Sequence, residues 1–145
     1  MELAVQSAAK AQKEWAKVSI VKRADLILKL CSRIEERVEE FALMDTYNAG
    51  NAITFARKDV LQAVANMKYF AGLVREVKGE TFSMEPKHLN FSRQQPYGVV
   101  LKINSFNRPF RWCAEKLAAP ILMGNAVIIK NLSLIHISEP TRRRG

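Results

Sequence analysis

With 145 residues the chain has the length of a single domain, and its 48% apolar and 26% charged residues are ordinary globular proportions that argue against a disordered or collagen-like chain. Its formal net charge of +9 comes from 23 Lys and Arg against 14 Asp and Glu, and invites a nucleic-acid reading. Residues 1–80 interleave the two signs, however, and the dense basic run Arg142-Arg143-Arg144 stands at the extreme end. No apolar run approaches the roughly 18 residues of a membrane span. The start, Met1-Glu2-Leu3-Ala4, has no basic n-region and no long apolar stretch, so no signal peptide is read. Two cysteines, Cys31 and Cys113, are too few for a disulfide scaffold, and the expected home is the reducing cytoplasm.

The Ala-rich stretch 2–17 predicts a first helix, because alanine forms helix best. Ser19 is placed to cap a second. In that helix Ile27, Cys31, Ile34, Val38 and Phe41 recur in steps of four and three, which makes one apolar face. The pattern predicts a single helix running to the turn Asn48-Ala49-Gly50-Asn51. Cys31 lies on the apolar stripe and reads as a small buried hydrophobe. Glu35-Glu36 and Glu39-Glu40 stand among Lys and Arg with no histidine near, so they read as a solvated face rather than a metal cluster. A third helix carries Val60, Val64, Met67, Ala71 and Val74 on one face, with Gly79 as its stop.

From Thr81 the pattern changes. Leu89, Phe91 and Arg93 alternate with Asn90 and Ser92, which predicts a strand with one wet face. His88, a lone histidine, reads as a surface loop residue. Val99-Val100-Leu101-Lys102-Ile103 predicts a second strand. A helix starting near Pro109 follows, with Phe110, Ala114, Leu117 and Ile121 on its face. Gly124-Asn125 ends it, and Ala126-Val127-Ile128-Ile129-Lys130 predicts a buried-type strand. Residues 98–130 thus have the length of one βαβ unit. Ligands of parallel α/β sheets bind beyond the carboxyl ends of the strands, so Asn107 and Lys130 are expected on one rim. No Gly-x-Gly-x-x-Gly joins the strand to the helix, and an ordinary dinucleotide phosphate grip is not supported. The βαβ end is expected to be the aggregation-prone part, because its two strands lack cover and neighbours on their edges, and residues 3–79, with mostly local helical contacts, are expected to retain helix without it.

Several motifs in this chain form one ungapped pattern: Pro96-Tyr97-Gly98-Val99-Val100, Phe106-Asn107-Arg108-Pro109-Phe110, Lys116-Leu117-Ala118-Ala119-Pro120 and Gly124-Asn125-Ala126-Val127-Ile128-Ile129-Lys130. The pattern resembles the first βαβ unit of the aldehyde dehydrogenase superfamily. Trp15, Arg23-Ala24, Glu35-Glu36-Arg37, Asn48-Ala49-Gly50, Phe70-Ala71-Gly72 and Gly79-Glu80-Thr81 are similar to the family's N-terminal region. The resemblance covers about residues 3–131 and a minority of a family enzyme. It implies an α/β fold: N-terminal helices, an arm of antiparallel strands, and the first βαβ unit of a Rossmann-like cofactor-binding domain.

For function the resemblance implies NAD- or NADP-dependent oxidation of an aldehyde to a carboxylic acid. In the family a cysteine thiolate forms a thiohemiacetal anion, hydride leaves to the cofactor, and water hydrolyses the thioester. By resemblance Asn107 is the oxyanion-hole asparagine. Lys130 matches the lysine that contacts the adenosine ribose or the NADP 2′-phosphate. Ile103, Asn104, Ser105 and Phe106 match the segment lining the cofactor groove, and no metal is implied. Read on their own, Asn107 is a loop-capping amide and Lys130 a strand-terminal surface lysine. The family's glycine-rich turn, general-base glutamate and nucleophilic cysteine lie later than these motifs, and Cys113 is not the nucleophile. The chain itself is therefore expected to be inactive. The intact parent is expected to take an aldehyde substrate and to form a homo-oligomer, without nucleic acid or membrane as a partner. Departures from the pattern are Ser105 in place of a usual proline, the polar Asn104 and Lys102, Arg108 and Arg111 at aromatic or apolar positions, and Asn131 in place of a proline.

From Leu132 the pattern stops. Residues 133–142 resemble translated sequencing-adapter read-through, and 132–145 are expected to be an unrelated, disordered tail. Two rivals belong to other classes. A basic nucleic-acid-binding module would need clustered Lys and Arg interleaved with aromatics, which are absent outside the tail. A helical scaffold or interaction protein would need neither the Asn107 turn nor a strand ending at Lys130.

Overall fold

The computed structural model describes residues 2–85 and 87–131. The expectation for a disordered tail at 132–145 lies outside the described residues. The chain begins with helix α1 (Glu2–Trp15), followed by α2 (Ile20–Glu35), α3 (Val38–Ala49) and α4 (Ile53–Leu73), and a 3₁₀ turn at Val74–Glu76. Strands β1 (Thr81–Glu85) and β2 (His88–Phe91) form an antiparallel pair. Strand β3 (Val99–Asn104), helix α5 (Pro109–Leu122) and strand β4 (Ala126–Asn131) complete the order, with β3 and β4 parallel. The architecture is α/β, as the sequence predicts.

Ser19 caps α2 by accepting from the Lys22 N–H at 3.3 Å. The single helix expected from Ser19 to Asn48 is in fact two, broken at Glu36-Arg37, where Arg37 leaves helical geometry with φ −123° and ψ 25°. The apolar stripe concealed the break. Ile34, Val38 and Phe41 keep facing one core on both sides of it. Along α4 every predicted face residue, Val60, Val64, Met67 and Ala71, is buried, as is Val74 just beyond. Gly79 does not stop this helix, which has already ended. Its lack of a side chain permits a close crossing, because a Cβ there would collide with the Ser92 carbonyl. Glu80 and Ser92 then bond through the Glu80 N–H to Ser92 Oγ at 2.9 Å and the Ser92 N–H to the Glu80 carbonyl at 2.8 Å.

The β1–β2 pair differs from the expected strand with one wet face: Leu89 is 72% and Phe91 70% exposed, and Phe82 and Met84 are exposed too. Nothing covers either face of this hairpin among the described residues. His88 is exposed as predicted, but it stands on β2 rather than in a loop, with Nδ1 3.0 Å from Glu85.

Helix α5 joins the βαβ end to the helices. Ala114, Ala118 and Leu122 enter the same apolar core as α2 and α4. Leu117 and Ile121, predicted on that face, are only half-buried, because the four-residue row through Ala114, Ala118 and Leu122 faces α4 most directly. The helix ends in a Schellman arrangement, with the Gly124 N–H bonded to the Ile121 carbonyl and the Asn125 N–H to the Pro120 carbonyl, each at 3.0 Å. Gly124 has φ +87°, the left-handed conformation that such an end requires. Asn125 is buried and joins this end to the sheet. Its Oδ1 accepts the Gly98 N–H at 3.0 Å, and its Nδ2 donates to the Pro120 carbonyl at 3.0 Å.

Candidate active-site edge

The carboxyl ends of β3 and β4 point the same way because the strands are parallel, and in the pairing Ile103 faces Lys130 and Asn104 faces Asn131. Side chains alternate along a strand, and paired residues share a face. Val100 and Lys102 line a hollow against Glu115, Lys116 and Ala119 of α5, so this face of β3 is the α5 side. Asn104 falls on that side and is 0% exposed, whereas Ile103, on the opposite face, is 58% exposed. Of the residues expected along a cofactor groove, Ile103 and Lys130 therefore stand side by side on the open face at the strand ends. Asn104 points inward. Its Nδ2 donates to Asn131 Oδ1 at 3.3 Å, and its buried Oδ1 has no partner among the described residues. Ser105 is exposed and Phe106 half-buried on the turn that follows.

That turn carries Asn107, which is exposed, at the same edge as Lys130. Its Oδ1 accepts from Ser105 Oγ at 2.7 Å and from Trp112 Nε1 at 3.1 Å. Its backbone carbonyl accepts from Asn51 Nδ2, on the loop between α3 and α4, at 2.8 Å.

The start of α5 is clamped by two buried acids. Asp45 Oδ1 accepts the Phe110 N–H at 3.0 Å. Asp59 Oδ1 accepts from Arg111 Nη1 at 3.1 Å and from Arg108 Nη1 at 3.4 Å. The Arg108 guanidinium also lies 4.4 Å from the centre of the Phe55 ring. The two arginines that depart from the family pattern are thus ion-paired with Asp59, a buried residue of α4. Pro109 has no N–H and the Phe110 N–H is already bonded, so the first two positions of α5 offer no amide to a phosphate. This agrees with the missing glycine fingerprint.

Asp45, Asp59, Asn51 and Trp112 were not singled out from the sequence. For the acids a signal existed. Asp45 lies four residues after Phe41, on the apolar stripe, and Asp59 lies between Ala56 and Ala63 at helical spacing. An acid on a core face implies a buried donor opposite it.

Burial pushes the Asp45 carboxyl up; the Phe110 N–H pulls it down, and the neighbouring charge of Asp59 pushes it up again, with a net upward shift. The native state therefore holds this proton to higher pH than the unfolded chain does. Stability is lost as pH rises from the ordinary carboxylate range through the raised native value, and the penalty is complete above it. Asp45→Asn keeps an oxygen for the Phe110 N–H and removes the ionisation. Its stability relative to the parent is expected to improve as pH rises above the ordinary carboxylate range, about 4. Urea unfolding at each pH checks this, and a gap that does not vary with pH would refute it.

Ligands of open parallel α/β sheets bind beyond the carboxyl ends of the strands, which is where these turn residues lie. The sequence pattern described as the aldehyde dehydrogenase family matches residues 1–138, and the chain belongs to that family. It is 36% identical over 130 residues to 4-trimethylaminobutyraldehyde dehydrogenase B of Danio rerio, covering 90% of this chain and 25% of that protein. The fold is similar to a crystal structure of PnpE in complex with nicotinamide adenine dinucleotide, with TM-score 0.86 and 33% identity, covering 95% of this chain and 30% of the other. It is also similar to an NADP-dependent glyceraldehyde-3-phosphate dehydrogenase from Bacillus halodurans C-125 complexed with NADP, with TM-score 0.80 and 28% identity, covering 87% and 28% of the two chains. The chain spans about a quarter of the length of the curated relatives it matches. Among the described residues no helix is long and apolar enough to cross a membrane.

Proposed function

We propose that this chain supplies one wall of an NAD- or NADP-dependent aldehyde-oxidising site, with Asn107 as the oxyanion donor and Lys130 and Ile103 against the cofactor. The observation that carries this reading is the shared edge. Asn107, Ile103 and Lys130 are all exposed where parallel strands end. An exposed ammonium beside an exposed aliphatic side chain suits a ribose or phosphate lying next to an apolar ring. Asn104 does not contribute directly, since its side chain is fully buried. The bound nicotinamide supplies a hydride acceptor. The Asn107 carboxamide donates a neutral N–H to the oxygen that becomes negative when a thiolate adds to the aldehyde, and so stabilises charge without releasing a proton.

Neither cysteine here suits the nucleophile. Cys31 is buried, and desolvation pushes its thiol up, away from thiolate. Cys113 lies on α5 with Sγ 3.8 Å from both the Oδ1 and Nδ2 of Asn131. In this reading the nucleophile and the general base come from the rest of a full-length protein, and the 145 residues alone turn over no aldehyde. The uncovered apolar side chains of the β1–β2 hairpin support the expected homo-oligomer of that protein. The test is NAD(P)H formation from aldehydes by the full-length protein and by the 145-residue chain. Activity is expected only in the former and is expected to survive Cys113→Ala. Activity of the short chain that disappears with Cys113→Ala would overturn the assignment.

A further inference from the structure

We propose that Ser105 and Trp112 are positioning residues for Asn107: by holding its Oδ1 they leave Nδ2 as the group presented at the edge of the sheet. The proposal rests on the reading of Asn107 as an oxyanion donor. A carboxamide has nearly the same shape in its two orientations and opposite polarity in them. Turned one way, it offers an N–H to a developing anion. Turned the other way, it offers a carbonyl oxygen, which repels that anion.

The bond from Trp112 selects the first orientation, and two further contacts hold the residue in it. The indole N–H of Trp112 only donates, so the atom it meets at 3.1 Å is the acceptor oxygen. The Ser105 hydroxyl meets the same oxygen at 2.7 Å. These two partners come from different elements, the segment leaving β3 and the first turns of α5, so rotation of the carboxamide breaks the Trp112 bond and forces the Ser105 hydroxyl to change from donor to acceptor. The backbone beneath the side chain is held separately by Asn51 at 2.8 Å, which leaves the side-chain dihedrals as the remaining freedom.

The Trp112 ring has two cations beside it. Lys116 Nζ lies 4.9 Å and the Arg111 guanidinium 5.5 Å from its centre. Cations over an indole face draw electron density from the ring, which makes its N–H a stronger donor. Arg111 is anchored in turn by Asp59 and Glu115, each at 3.1 Å. A chain of contacts thus runs from a buried acid of α4 to the orientation of one exposed amide. Such an arrangement fixes the donor before reaction, and fixed dipoles are what an oxyanion site needs.

The test uses nitrogen-15 NMR of the 145-residue chain, reading the Trp112 indole and the Asn107 side-chain resonances. In the parent, the Trp112 Nε1–H is expected to exchange slowly with water and Asn107 Nδ2 to be rigid. Trp112→Phe keeps the ring and removes the donor, and Ser105→Ala removes the hydroxyl. In each variant the Asn107 Nδ2 order parameter is expected to fall below about 0.6 while the backbone amides of 103–110 stay rigid. Ser105→Thr, which retains a hydroxyl, is expected to restore the parent value. A carboxamide equally mobile in the parent and in both variants overturns the proposal. If Trp112→Phe loosens the whole turn, Ser105→Ala decides the matter: an unchanged Nδ2 there overturns it, and a loosened one supports it. The readout needs neither aldehyde nor nucleotide. Its failure leaves the proposed reaction standing, and failure of the reaction leaves the orientation standing.

Discussion

Replacing Arg23 by methionine is expected to lower the unfolding free energy by about 3 kcal/mol, since buried hydrogen bonds to a charged group are lost and their acceptors are left unpaired. Arg23 is 7% exposed and lies beneath the end of α5. Its Nε donates to the Leu122 carbonyl at 2.8 Å, and its Nη1 to the Val18 carbonyl. The last carbonyls of a helix have no partners within it, and they carry the negative end of its dipole. A guanidinium there answers both needs at once. The neighbouring carbonyls are answered from α1: Trp15 Nε1 donates to Ile121 at 2.9 Å and Gln12 Nε2 to Gly124 at 3.1 Å. Methionine fills the space of the stem but leaves the buried Leu122 carbonyl and the half-buried Val18 carbonyl without this donor. Arg23→Lys keeps the charge without the fork, so an intermediate loss is expected. Urea unfolding of the three proteins measures the series. A methionine variant as stable as the parent would remove the guanidinium from the list of what joins α1, α2 and α5.

Why Arg23 escaped sequence reasoning is instructive. It belongs to an Arg-Ala pair that marks the family pattern, yet on a helical wheel it is an ordinary charged residue beside Ala24 and Ile27. Its partners are backbone carbonyls, Val18 close by and Leu122 about a hundred residues away, and carbonyls have no sequence signature. The same holds for Asn51 under Asn107. The helices and the βαβ unit were legible because they rest on local periodicity and turn chemistry, at Val60, Val64, Met67 and Ala71 for instance. The break at Glu36-Arg37 was not, because a one-residue change of backbone angle leaves the apolar stripe in phase. At the site, the sequence pattern sets Asn107 and Lys130 at the ends of two strands, and those strands, β3 and β4, are parallel in the fold. The inward turn of Asn104 follows from strand alternation once Val100 is known to face α5. The run Val99-Val100-Leu101 is apolar on both faces and hides that phase.

The other large effect concerns the reaction. In a full-length protein, Asn107→Ala is expected to lower kcat by about 10²–10³-fold, the usual loss when one oxyanion donor is removed. KM for the nucleotide should change little, since Asn107 interacts with charge that exists only once the aldehyde is attacked. Stability should change little as well. Asn107 is exposed, and its backbone carbonyl, the part held by Asn51, survives the substitution. Asn107→Asp is the sharper probe. Ser105 and Trp112 can hold one carboxylate oxygen just as they hold Oδ1, which turns the other oxygen toward the anion. A donor is then replaced by a like charge, and activity is expected to fall below that of the alanine variant. Steady-state kinetics with saturating nucleotide compare the three proteins. If aspartate is as active as asparagine, the group facing the substrate does not donate a hydrogen bond, and Asn107 is only the cap of a turn.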